Sequence, residues 1–249
     1  MNWHLTVGKT APHVFKIESP SGHGTGFLCF VGNNKKIMGI ATARHVVDEE
    51  NKWQQPIRVT NYELEYTKLL TVTDRVILDD ESRESAVLLF DPGDLDLPEN
   101  LLPLIPSDKI MKVGTEIGWV GFPAVEPNTL CFFSGVISAH IRNQTAYLID
   151  GVAINGVSGG PVFTNMGEDL GIDDEEPRII GFVTAYMANR TSRETLPGLA
   201  VAQDVGHIQD VLSKLNSVEE AAEKKEQLEE ELQKPKPESE PQSTPNNPA

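Results

Sequence analysis

Residues 155 to 163 read Asn-Gly-Val-Ser-Gly-Gly-Pro-Val-Phe: three glycines and a proline set around one serine, then β-branched and aromatic residues. A serine hydroxyl is a poor nucleophile until a base removes its proton, and acyl transfer also needs donors for the oxyanion that forms. This turn suits both demands. Gly156, two positions before Ser158, lets backbone N–H groups face inward, and the small residues that follow leave room for a substrate. Ser158 is therefore a candidate nucleophile, and the Gly156 and Ser158 N–H groups are candidate oxyanion donors. The bland alternative is a glycine-rich hairpin with an incidental serine. The base must be sought among His4, His13, His23, His45, His140 and His207. Only His45 ends a strand-like apolar run, Ile-Met-Gly-Ile-Ala-Thr-Ala-Arg-His, where an imidazole would be held near a cleft.

Gly-x-Ser-x-Gly is also the nucleophile elbow of another hydrolase class, which follows a strand, opens a helix and precedes its histidine. Here Pro-Val-Phe-Thr, a strand pattern, comes next, and the one later histidine, His207, begins a helical stretch. The context rejects the elbow.

The elements that must position these groups are short β-rich runs. His-Val-Phe-Lys-Ile-Glu-Ser, Gly-Thr-Gly-Phe-Leu-Cys-Phe-Val, the run ending at Ala43, Pro-Ile-Arg-Val-Thr-Asn, Leu-Leu-Thr-Val-Thr-Asp-Arg-Val-Ile-Leu and Ser-Ala-Val-Leu-Leu-Phe come first. Each is rich in β-branched and aromatic residues and bounded by Gly, Pro, Asn or Asp. A proline-rich connector over 91–108 follows, then a second series of six runs from Thr115 to about Gln203. Two sets of about six strands predict two antiparallel barrels or sandwiches. Ile208, Val211, Leu212 and Leu215 recur at helical spacing, and a Glu- and Lys-rich solvated helix continues beyond them. The Pro- and Ser-rich end has nothing to bury and is expected to be disordered.

Thr-Ala-Arg-His-Val-Val beside Gly-His-Gly-Thr-Gly-Phe and Gly-Val-Ser-Gly-Gly-Pro resembles the trypsin-like serine peptidases, nearest the bacterial HtrA-type protease domain. The likeness covers roughly residues 13–215. It implies an all-β chymotrypsin-like fold of two six-stranded antiparallel β-barrels over 1–110 and 111–205; the residue patterns above add a charged C-terminal helix over 206–233 and a disordered tail over 234–249. The likeness also implies a serine endopeptidase working through an acyl-enzyme, with His45 as base and then acid. The family's third residue is an aspartate before Ala-Val-Leu; here that position is Glu84, with Asp79, Asp80 and Asp91 as rivals. Arg44 stands where the family usually has a small residue, either outside the cleft or paired with a carboxylate. Val157 replaces the aspartate that captures a new amino terminus in zymogen-activated relatives, so such activation is not expected. The family's substrate pocket maps onto Val152, Ala153 and Ile154, then Thr184, Ala185 and Tyr186. None is charged, which implies a small-to-medium apolar side chain before the cut rather than Lys or Arg. The other class of reading is a catalytically weak relative that binds peptides.

Charge and cysteines narrow the partners. The 249 residues carry 37 acidic against 21 basic side chains, a formal net charge of −16, which argues against nucleic acid and against anionic membrane surfaces. The stretch 217–249 holds nine Glu and four Lys, a candidate docking surface for a protein partner. Cys29 and Cys131 read as buried free thiols. No basic start followed by an apolar run opens the chain, so a cytoplasmic protein is expected. The acidic stretch over 165–178 does not follow a calcium-loop pattern, and no His/Cys cluster has zinc spacing, so neither metal nor cofactor is expected; a solvated hairpin insertion is.

Overall fold

In the computed structural model, which describes residues 3–164, 176–190 and 195–233, the β-rich runs become two antiparallel sheets. The first holds β1 (Val14–Ser19), β2 (Gly22–Val31), β3 (Met38–Ala43), β4 (Ile57–Asn61), β5 (Tyr66–Leu70), β6 (Arg75–Asp80) and β7 (Ser85–Phe90). Its order is β5-β4-β1-β2-β3-β7-β6. That is seven strands rather than six, because Leu-Leu-Thr-Val-Thr-Asp-Arg-Val-Ile-Leu is not one run. Thr71 donates its N–H (2.9 Å) and its hydroxyl (2.6 Å) to the Asp74 carboxylate, a capping box that turns the chain between β5 and β6. Among the described residues no ladder joins those two strands, so the curled sheet stays open as a half-barrel. Arg75 bridges the open side, donating to the carbonyls of Leu70 (2.9 Å) and Gln55 (2.7 Å).

The second sheet is a closed barrel of β8 (Glu116–Gly121), β9 (Cys131–Ile141), β10 (Ala146–Asp150), β11 (Pro161–Thr164), β12 (Arg178–Arg190) and β13 (Thr195–Asp204), in the order β10-β13-β12-β11-β8-β9. Alternation along the strands sends Phe15, Ile17, Phe27 and Ile40 into one core and Trp119, Tyr147, Phe163 and Phe182 into the other, all fully buried. Each such side chain contributes about 1.5–3 kcal/mol. Val14, Val120, Phe122 and Phe163 form a cluster shared by the two sheets, with Trp3, Val7 and Leu130 packed against it.

Trp3 belongs to a helix the sequence pattern did not suggest, α1 (Trp3–Thr10). Its indole donates to Glu116 (3.0 Å) and lies 5.4 Å from the ring of Phe132. Within the first sheet a short helix α2 (Asp48–Lys52) lies between β3 and β4, and after that sheet the proline-rich connector is tied to β12 by Ile105 N–H on Ile179 O (2.8 Å) and Ile179 N–H on Pro103 O (2.9 Å). Residues 1–213 form one compact unit, and those from 214 another. Helix α3 (Gly206–Gln233) starts in the first unit, where Ile208 and Val211 are buried, and beyond it carries a Lys225–Glu229 pair at 3.8 Å. The expected disordered tail over 234–249, and residues 165–175 of the expected hairpin insertion, lie outside the described residues. Both cysteines are free thiols; Cys29 is buried, whereas Cys131, at the start of β9, is only partly so. Among the described residues no helix is long and apolar enough to cross a membrane.

Candidate active site

Strand β3 is buried along its whole length, and its end is where the chain leaves the core: a 3-10 turn over Arg44–Val46 carries His45 to the surface, half exposed. Glu84 is the last residue before β7, in the tight turn that pairs Asp80 with Ser85. Its φ is +49°, a left-handed conformation costing a non-glycine residue roughly 1–2 kcal/mol. The turn lets one residue hold two others. The Glu84 carbonyl accepts the Arg44 N–H (2.9 Å), while its Oε1 accepts both the His45 N–H (2.9 Å) and His45 Nδ1 (2.8 Å). An ionised carboxylate only accepts, so Nδ1 carries a proton, and in the neutral ring Nε2 then holds the lone pair. The hydrogen bond from His45 holds the Glu84 carboxyl below the usual range, against the opposing effect of partial burial.

The rival carboxylates point elsewhere. Asp80 accepts the Ser82 hydroxyl (2.6 Å), and the N–H groups of Ser82 and Arg83, within its own turn. Asp91 accepts the Gly93 N–H (2.8 Å). Asp79 meets Arg44 Nε at 2.7 Å, and the same guanidinium reaches Asp48 (3.2 Å) and Glu81 (3.8 Å). Arg44 therefore links α2, through Asp48, to the end of β6 and the turn that presents Glu84, through Asp79 and Glu81.

The serine turn is fixed peptide by peptide. Each carbonyl from 155 to 158 has a donor: Asn155 O takes Ala124 N–H (2.6 Å), Gly156 O takes Thr25 Oγ1–H (2.8 Å), Val157 O takes Gly160 N–H (2.9 Å) and Ser158 O takes Thr25 N–H (2.8 Å). The Val157 N–H bonds Ile154 O (3.1 Å) and the Gly159 N–H bonds Val183 O (2.6 Å). Among the described residues the N–H groups of Gly156 and Ser158 have no acceptor. In a trans peptide N–H and C=O point opposite ways, so fixing Asn155 O and Val157 O aims these two donors to the other side. The geometry demands glycine at two places. Gly156 has φ +91° and Gly159 φ +85°, and a Cβ on Gly159 would strike Thr25 O and Thr42 Oγ1.

His45 and Ser158 line one cavity of about 200 Å³, with Ala153, Ile154, Asn155, Val183, Thr184, Ala185 and Tyr186. No hydrogen bond joins the ring to the hydroxyl among the described residues; in a site without substrate such bonds are often long. Of the pocket residues read from sequence, Ala153, Ile154, Thr184, Ala185 and Tyr186 line this cavity. Val152 does not and is 52% exposed. Asn155 and Val183 were missed, though each adjoins a residue that was named. Thr25 and Ala124 were also missed, since nothing in a sequence says which donors reach a turn about 30 and 130 positions away. Among the described residues no group of three or more His, Cys, Asp or Glu gathers as metal ligands.

A family model described as a trypsin-like peptidase domain matches residues 24–172. Comparison with curated protein sequences returns no match. Among solved structures the chain is similar to the serine endoprotease from Yersinia pestis, with a TM-score of 0.60 at 20% identity over 86% of this chain and 66% of that one. It is similar to Deg5 with a TM-score of 0.60 at 22% identity, covering 83% and 90%. It is also similar to the Rv3671c protease in an inactive form, with a TM-score of 0.56 at 20% identity, covering 84% and 92%. At these identities the likeness is one of fold, and the chain spans just under two thirds of the Yersinia pestis chain.

Proposed function

The chain belongs to the family of trypsin-like peptidase domains, and from that premise we propose that it is a serine endopeptidase in which His45, Glu84 and Ser158 act together on a polypeptide. His45 Nε2 takes the Ser158 proton as Oγ attacks the scissile carbonyl carbon, and the oxygen, now negative, settles against the Gly156 and Ser158 N–H groups. The imidazolium then gives its proton to the leaving amine, leaving an acyl-enzyme. Water, deprotonated by the same ring, releases the acid and restores the serine. Glu84 keeps Nδ1 protonated throughout and stabilises the positive ring. One observation carries the reading: every other backbone group from Asn155 O to Gly159 N–H is hydrogen-bonded, and the two unbonded donors are those an oxyanion needs.

The cavity supports a small-to-medium apolar residue before the cut. About 200 Å³, walled by Ala153, Ile154, Val183 and Ala185 with no carboxylate among the described residues, offers no counter-charge for Lys or Arg there. Strand β12 pairs with β11 as far as Phe182, and Val183 is then bonded to Gly159 and Gly160, so among the described residues the edge from Thr184 onward is the one with no β11 partner and is open to an extended substrate. A fluorophosphonate probe tests the chemistry: labelling of the folded chain that vanishes in Ser158→Ala is expected. Folded protein that does not label would make this a peptide-binding relative without catalysis. A peptide library dominated by Arg or Lys before the cut would overturn the pocket reading alone.

A further inference from the structure

The oxyanion donors sit on the second barrel, yet the group that orients them comes from the first sheet. Thr25, fully buried in β2, makes four hydrogen bonds. Its hydroxyl donates to Gly156 O (2.8 Å) and accepts the Phe122 N–H (3.0 Å). Its own N–H donates to Ser158 O (2.8 Å), and its carbonyl accepts the Thr42 hydroxyl (2.7 Å). The Phe122 carbonyl, on the far side of that N–H, is taken by His23 Nε2 at 3.0 Å. Space around the Thr25 hydroxyl is closely cut: a Cβ on Gly121 would lie 2.9 Å from Oγ1.

We propose that Thr25 is a positioning residue for the oxyanion hole, its hydroxyl fixing the Gly156–Val157 peptide so that both donors face the developing charge; this rests on the peptidase reading above. Three hydrogen bonds set the torsions of Gly156. Ala124 N–H holds the peptide before it, and the Thr25 hydroxyl, with the Val157 N–H on Ile154 O, holds the peptide after it. A glycine at φ +91° has no side chain to resist rotation, so without the hydroxyl the following peptide keeps one anchor, can tilt about it, and misaims the Gly156 and Ser158 donors on either side. The Thr25 backbone bond to Ser158 O is independent of the side chain and survives substitution. The hydroxyl alone is thus the testable part.

The experiment compares Thr25→Val, which keeps the shape and removes the hydroxyl, with Thr25→Ser, which keeps the hydroxyl and removes the methyl. Loss of one oxyanion donor costs about 100- to 1,000-fold in kcat, and a donor misaimed rather than deleted is expected to cost about 30-fold. Thr25→Val should therefore lose about 30-fold in kcat with KM within twofold. Its affinity for a peptide boronic acid, which forms a tetrahedral adduct on Ser158, should fall by a similar factor, while product-peptide affinity stays unchanged. Thr25→Ser should keep kcat within threefold, with a lower Tm from the lost methyl. Pure packing predicts the reverse order. Wild-type kcat in Thr25→Val, or a tenfold loss in Thr25→Ser, would overturn the proposal. If Thr25→Val does not fold, the serine variant decides by the same threshold. A wild-type chain that neither cleaves peptides nor labels with fluorophosphonate overturns the peptidase reading itself, an outcome distinct from failure of Thr25 alone.

Discussion

Replacing Glu84 by glutamine isolates charge from geometry, because of how the carboxylate is used. A single oxygen, Oε1, accepts both the His45 backbone N–H (2.9 Å) and Nδ1 (2.8 Å). The backbone N–H can only donate, so a glutamine at 84 turns its carbonyl oxygen to that point and its amide away. The ring then keeps its proton on Nδ1, and Nε2 remains able to accept from Ser158. What is lost is the negative charge facing the imidazolium. Two unit charges at about 4 Å attract by about 4 kcal/mol at an effective dielectric constant of about 20. The pair is partly solvated, with side-chain exposures of 50% and 37%, so the attraction is discounted to about 2–3 kcal/mol. That corresponds to a loss of roughly 30- to 150-fold in kcat. An inverted tautomer would cost about 10⁴-fold, the magnitude known for the corresponding aspartate-to-asparagine change in the template triad enzyme. The assay is initial-rate hydrolysis of a fluorogenic peptide with an apolar residue before the cut, at pH 7.5, with folded fraction checked by circular dichroism. A rate within twofold of wild type would remove Glu84 from the mechanism. A rate as low as that of Ser158→Ala would refute the argument that the shared oxygen protects the tautomer.

Other substitutions test the surroundings. Arg44→Met removes a guanidinium that reaches Asp79, Asp48 and Glu81, loosening the turn that presents Glu84; kcat should fall about 3- to 10-fold with Arg44→Lys in between, and unchanged kinetics would place Arg44 outside the site's support. Gly159→Ala meets both a left-handed backbone and the Thr25 carbonyl, at a cost of about 3 kcal/mol; Tm should drop by roughly 6–12 °C, and an unchanged Tm would contradict the packing described. Burial pushes the Cys29 thiol up to about 12, so a maleimide at pH 8 should modify Cys131 alone in the folded chain; rapid modification of both would mean the first sheet opens readily. Glu84 is depressed in the folded chain, so its stabilising effect is present above its ordinary value of about 4.3 and disappears as pH falls through the lowered value. Thermal melts of wild type and Glu84→Gln should therefore converge below about pH 4, and a gap that widens there would reverse the sign.

Much of this was legible in the residues, for identifiable reasons. Strands such as Ser85–Phe90, buried at every position, leave a continuous apolar run that no turn interrupts. Ser158 and His45 stood out because chemistry needs them where a packed core would not. Glu84 followed from its place before Ala-Val-Leu, but its left-handed backbone could not, since glutamate carries no signal for φ +49°. The seventh strand was hidden because Thr71 and Asp74, residues of a capping turn, sit inside an otherwise β-like stretch. Helix α1 was missed because Gly8 and two threonines weaken its propensity; its hold comes from Trp3 against Phe132 and Phe163, a tertiary effect. Thr25 looked like one more small residue in a glycine-rich strand, since its role depends on a turn distant in the chain.

Because Thr25 and its strand arrive long before the serine turn they orient, competence to cut waits on assembly. A partly synthesised chain can already pair its imidazole with its carboxylate, yet it has no attacking hydroxyl and nothing to receive the oxyanion. Only when the late barrel has closed and docked do nucleophile, base and aimed amides coincide. An unfinished copy of such a chain therefore has no means of cutting itself or its neighbours.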